Sequence, residues 1–182
     1  MSKNLSHPSP IGAATNSIEK LANIFRGIHI DKFNGNTDIL IRELGGKVKD
    51  DLRGDLIWSV DDGQFYFPQF THLSIRAREK QYATIIGLQV LHSPSFREER
   101  PGVIMRVNSS EPSLKSVIKE AMIFGNELVL PHKYVLQLYD QGGCDAVRYE
   151  LKTGFLSAEE IKGRVEYARQ KVARAETPSP AP

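Results

Sequence analysis

Apolar residues recur at helical spacing through most of the chain. Ile18, Leu21, Ala22 and Phe25 fall three and four apart, predicting a helix from Ser17 to about Ile28. Asn16 would cap it, with Glu19 as the reciprocal partner. Ile39, Leu40 and Leu44 predict a second helix, Thr37 to Leu44, stopped by Gly45-Gly46. Residues 71–92 carry apolar side chains on more than one face (Tyr82, Ala83, Ile85, Ile86, Val90, Leu91), the pattern of a buried central helix. His92-Ser93-Pro94 is read as its end. Leu114, Val117, Ile118, Ala121, Phe124 and Leu128 then mark a helix from Ser113 to Val129. Pro131 breaks it, His132–Tyr139 forms a short helix, and Gly142-Gly143 is a joint. The last elements are a helix pair, Ala146–Lys152 and Ser157–Arg174, the second opened by the capping box Ser157-Ala-Glu-Glu160.

Between the second helix and the central one the period shortens. Lys47–Asp51 reads as a short strand. Leu56–Val60 and Gln64–Pro68 flank Asp61-Asp62-Gly63, a hairpin signal in which glycine accepts the positive φ of the turn. Val103–Val107 reads as one more short strand. These elements predict an α+β fold: helix-rich, with a small antiparallel sheet packed on the central helix and a C-terminal helix pair. Residues 1–14 and 176–182 lack periodicity and read as flexible tails, leaving a body at 15–141 and the helix pair at 142–175.

Composition narrows the function only a little. Of 182 residues, 40% are hydrophobic and 25% charged, enough for a substantial core. The formal charge of +2, from 24 basic and 22 acidic residues, is too balanced to argue for nucleic acid or membrane. Cys144 is the single cysteine, which excludes an intramolecular disulfide framework and a cysteine-rich zinc module and fits a reducing cytosol. Residues 1–10 have no apolar leader, and no run reaches the ~18 apolar residues of a membrane helix. The expected location is the cytoplasm.

Little in the spacing carries chemistry on its own. No two histidines stand four apart. Glu120 and Glu127 read as a solvated helix face, Cys144 as a small loop residue, and Gly142-Gly143 lacks the strand–loop–helix setting of a phosphate cradle. The last helix carries Lys162, Arg164, Arg169, Lys171 and Arg174, but its acidic start would repel phosphates, which argues against direct DNA reading without closing it.

The order of elements and several short motifs resemble the ImmA/IrrE-type metallopeptidases. Ile30-Asp-Lys-Phe33 to Leu44-Gly45 looks like the family's early segment, and the Leu56–Pro68 hairpin lies where its sheet precedes the zinc helix. Ala83-Thr-Ile-Ile-Gly87-Leu88-Gln-Val-Leu91-His92 is similar to the zinc helix. Glu120-Ala-Met-Ile-Phe124-Gly-Asn-Glu127-Leu128-Val-Leu-Pro131 is similar to the later motif, and Leu151 to Ile161 to the C-terminal helix pair. The resemblance spans roughly residues 17–170 and implies a zincin-like domain. It also implies degeneration. Thr84, Ile85 and Leu88 stand at the positions of the two histidines and the glutamate of His-Glu-x-x-His, so no catalytic residue is assigned. A threonine is a poor zinc ligand, and isoleucine and leucine cannot bind zinc or activate a water.

His92 and Glu120 are the candidate vestiges of the site, with Ile118 an alternative to Glu120 in register. What the resemblance implies is a non-catalytic regulatory protein, without metal. It would hold a partner such as a helix-turn-helix repressor, in the setting of mobile elements, toxin–antitoxin pairs or stress responses. Trp58, Tyr66 and Phe67 are the candidate binding surface, since aromatics are common anchors. Two alternatives stand beside it: an active zinc peptidase with displaced ligands drawn from His72, His92, His132 and Glu120, and a DNA-binding regulator using the C-terminal helices.

Overall fold

Among the described residues of the computed structural model, the elements are, in order, α1 (Ile11–Phe33), α2 (Thr37–Glu43), β1 (Lys47–Lys49), β2 (Ile57–Asp61), β3 (Gln64–Pro68), α3 (Ile75–Glu99), β4 (Ile104–Arg106), α4 (Pro112–Val129), α5 (His132–Leu151) and α6 (Ala158–Glu176). The structure describes residues 11–33, 37–49, 57–61, 64–68, 73–99, 104–106 and 112–176, with side chains over 15–29, 37, 39–47, 73–92 and 115–175. Among these residues no helix is long and apolar enough to cross a membrane.

The expected α+β fold is corrected to a helical one. Of the residues described with their side chains, 87% are helical, and every described core side chain lies on a helix or a helix connection. The short strands pair through their backbones in the order β1-β3-β2-β4, and the pairing is mixed: β1 runs parallel to β3, while β2 is antiparallel to both β3 and β4. Among the residues described with their side chains, the core is therefore not an antiparallel sheet laid on a helix. It is helix packed on helix.

The hub is the crossing of α3 and α4. Tyr82, Ala83, Ile85, Ile86 and Leu88 of α3 are buried against Ile118, Ala121, Phe124 and Leu128 of α4. Two glycines let the backbones approach. A Cβ on Gly87 would lie 2.5 Å from the Ala121 carbonyl oxygen, and one on Gly125 would lie 2.8 Å from the backbone of Ala83. Ala83 thus faces Gly125 while Gly87 faces Ala121, a reciprocal pairing that only antiparallel helices produce. α1 adds Ile18, Ala22 and Phe25, with Phe25 meeting Phe124 edge to face at 5.8 Å. α2 adds Leu40 and Ile41. Its first amide and hydroxyl, both of Thr37, donate to the buried Glu79 carboxylate of α3, which caps the start of α2 from another helix. Gly45, at φ 81°, closes α2 with amide bonds from Gly45 and Gly46 back to Arg42 and Ile41.

Several element ends differ from their expected places. α1 begins at Ile11, inside the stretch read as a tail, so Asn16 is no cap; its side chain accepts from Lys171 instead. α3 runs past His92 and Pro94 to Glu99. By contrast, Gly142 and Gly143 do break the helical path inside α5, Gly143 at φ 68° and ψ −152°. The capping box of α6 forms as well: Ser157 N donates to Glu160 Oε2 at 2.9 Å, and Glu160 N donates to Ser157 Oγ at 3.3 Å.

Candidate functional site

The three positions that would carry zinc chemistry are absorbed into the α3–α4 crossing. Ile85 and Leu88 are fully buried among apolar neighbours. Thr84 turns its hydroxyl back to the Lys80 carbonyl at 3.1 Å, satisfying it within its own helix. His92 and Glu120 do come together across the crossing, with His92 Nε2 3.4 Å from Glu120 Oε2. Burial pushes the His92 imidazole below its ordinary pKa, and the Glu120 carboxylate recovers only part of that. Among the described residues, His92 and Glu120 stand as one imidazole and one carboxylate next to two buried aliphatic side chains, fewer than the three protein ligands of a catalytic zinc site. The side chains of Trp58, Tyr66, Phe67 and His72 lie outside the described residues.

The polar chemistry is concentrated elsewhere, where the end of α4 meets the start of α5. Glu127 ends up fully buried rather than on a solvated face. It stands in the last turn of α4, where the helix dipole disfavours a carboxylate. Its surroundings reverse that. The His132 amide, at the favourable N-terminal end of α5, lies 3.3 Å from both of its oxygens, and His132 Nδ1 lies 3.0 Å from both. Asn23 of α1 donates to Glu127 Oε1 at 2.7 Å, and Arg164 of α6 donates to Oε2. Two arginines also close the carbonyl end of α4: Arg164 Nε donates to the Leu130 oxygen at 2.8 Å and Arg26 Nη1 to that of Leu128 at 2.6 Å.

A second buried carboxylate extends the network. Glu19 of α1 accepts from the Tyr167 hydroxyl and the Lys171 ammonium of α6. Burial alone would raise its pKa, but the hydrogen bonds from Lys171 and Tyr167 together with the Lys171 charge outweigh that and hold it below the usual carboxylate range. Tyr167 responds in the opposite sense: burial, then donation to Glu19, push its hydroxyl up to about 12. Its ring lies under the Arg164 guanidinium, 4.7 Å from the ring centre, and meets the His132 ring edge to face at 6.2 Å.

Glu19, Glu127 and His132 bring two carboxylates and an imidazole within 4.8 Å of one another, a donor set of the kind zinc accepts. Arg164 and Lys171 already neutralise the two carboxylates, however. A metal would have to displace both cations, so the arrangement fits a saturated ion-pair network better than a resident metal. The same commitment withdraws Arg164 from any row of phosphate contacts on α6. Of this cluster the sequence reading singled out only His132 as a donor. Glu127 was legible in principle, as a carboxylate inside the apolar run before Pro131-His132. Glu19, Tyr167 and Lys171 were not, because their meeting depends on how α1 and α6 lie against each other.

Two concavities flank this network and share Glu19 and Tyr167. One, of about 400 Å³, has Gly125 and Gly163 in its lining, Ile123, Val129 and Leu156 as apolar walls, and Lys80, Glu160 and Arg164 as polar groups. The other, of about 1170 Å³, lies between α1 and α6 with His132 and Lys133 at one end. No protein-family model matches the sequence, and no curated protein matches it.

Proposed function

We propose that this chain is a non-catalytic, cytoplasmic interaction protein built on a metallopeptidase-like plan, holding a partner protein such as a helix-turn-helix repressor without cutting it. The observation that carries the reading is the complete burial of Ile85 and Leu88 beside the Gly87–Ala121 contact. No water-activating group stands there, and there is no room for one without opening the core. The buried carboxylates Glu127 and Glu19 are tied to structural work, capping α5 and pairing with Arg164 and Lys171, which leaves the exposed charges and the concave surfaces for recognition.

The test is the metal content and peptidase activity of protein purified without chelator. Well under one zinc per chain, with a test repressor left intact after incubation, is the expected result. One tightly held zinc per chain with cleavage overturns the reading. A second reading, zinc held by Glu19, Glu127 and His132, is favoured by their convergence. It requires that Glu127→Gln abolish that zinc.

A further inference from the structure

The groove between α1 and α6 is the most distinctive unassigned surface. Its two helices are joined across the floor by long side chains, Tyr167 and Lys171 reaching Glu19 and Asn16. Its lining carries four cations, Lys20, Lys133, Lys171 and Arg174, against one carboxylate, Glu19. Lys171 is spent on that carboxylate. The other three are exposed, and among the described residues none forms an ion pair with them. Apolar side chains stand on both lips: Ile24 of α1 and Val172 of α6 are large, exposed and part of the lining. On α1, Leu21 and Ile28 are exposed too, and the spacing of 21, 24 and 28 continues the Ile24 lip as a helical stripe.

We propose that this groove is the docking site for an acidic amphipathic helix of a partner protein, whose carboxylates meet Lys20, Lys133 and Arg174 and whose apolar face covers Ile24 and Val172. The inference rests on the interaction-protein reading and gives the partner a chemistry. Charge complementarity selects the sign of the occupant, since three unpaired cations around a neutralised floor attract carboxylates and repel a basic segment. The lining of α1 runs from Thr15 to Ile24, about 14 Å at 1.5 Å per residue, which suits two to three turns of helix. Concavity favours an inserted helix over a membrane surface, which would need the apolar residues on a convex face. The apolar lips favour it over nucleic acid, whose phosphates gain nothing from Ile24 or Val172.

The test uses the full chain and a fluorescein-labelled 14-residue peptide with leucines at helical spacing and glutamates elsewhere. A lysine-for-glutamate version serves as control. The expected result is binding of the acidic peptide alone, weakening as salt rises, and gaining helical circular dichroism on the protein. Lys20→Glu, Lys133→Glu and Arg174→Glu together should weaken it about tenfold or more, the sum of three exposed ion pairs. Ile24→Ala with Val172→Ala should weaken it at unchanged salt dependence. All five positions are exposed, and an unchanged unfolding midpoint will show that each variant still folds. No binding at low salt, equal binding to the triple variant, or tighter binding of duplex DNA or phosphatidylserine vesicles that the peptide does not displace would overturn the proposal. Peptide cleavage, read by mass spectrometry in the same samples, would instead overturn the non-catalytic reading.

Discussion

Glu127 shows how one side chain can hold several helices. Its carboxylate, itself fully buried, faces the N-terminal amide of α5, the Arg164 guanidinium of α6 and the Asn23 amide of α1. Removing a partner from such a site strands the others, so Glu127→Ala should cost about 3–5 kcal/mol in urea unfolding. Glu127→Gln, which keeps an acceptor oxygen, should cost less. Glu19 and Tyr167 each add a pH dependence to stability. The folded pKa of Glu19 is lowered from 4.5, first against burial and then through Lys171 and Tyr167. Its contribution is therefore complete above the unfolded value and is lost as pH falls through the folded one. Tyr167 is raised from 10.0 to about 12, so its contribution is complete below 10 and is lost as pH rises toward 12. Thermal midpoints across pH should fall on both sides, with Glu19→Gln flattening the acid limb and Tyr167→Phe the alkaline one.

At the scale of elements, the α3–α4 crossing depends on four small residues. Gly87→Ala would drive a methyl into the Ala121 carbonyl, and Gly125→Ala into the Ala83 backbone. Backbone cannot move aside as a side chain can, so each should destabilise by about 1–3 kcal/mol in denaturant titration, and the pair by more than either. Both glycines lie within the motifs that carry the metallopeptidase resemblance, and their contact gives them a packing role that needs no metal. What was legible from the sequence at this scale was whatever a local signal decides. The capping box of α6, the Gly142-Gly143 joint and the stop of α2 need only neighbouring residues. The ends of α1 and α3 were misplaced because Asn16 and Pro94 are strong local signals: the Asn16 side chain pairs with a helix distant in sequence, and α3 continues past Pro94. The antiparallel sheet was overturned for a similar reason, since the hairpin is a local signal and the parallel β1–β3 pairing is not. Short alternating segments announce strands, but do not say whether those strands form a layer of the core.

Across the whole molecule, side chains of α6 reach three of the preceding helices. Glu160 takes Arg76 and Lys80 of α3, Arg164 takes the end of α4, and Tyr167 and Lys171 take α1. A boundary at residue 142 was readable as a glycine joint, but not the contacts that cross it, because charged residues do not announce their partners. We expect one unfolding transition, coincident by circular dichroism and by Trp58 fluorescence; two separated midpoints would mean that 142–175 is an independent unit. The bond from Lys171 to Asn16, 155 residues apart in sequence, has a topological meaning as well. It ties α1 to α6 beside the Lys171–Glu19 ion pair, on the lining of the groove. Whatever enters between α1 and α6 therefore meets two helices far apart in sequence, and a partner seated there would brace one against the other.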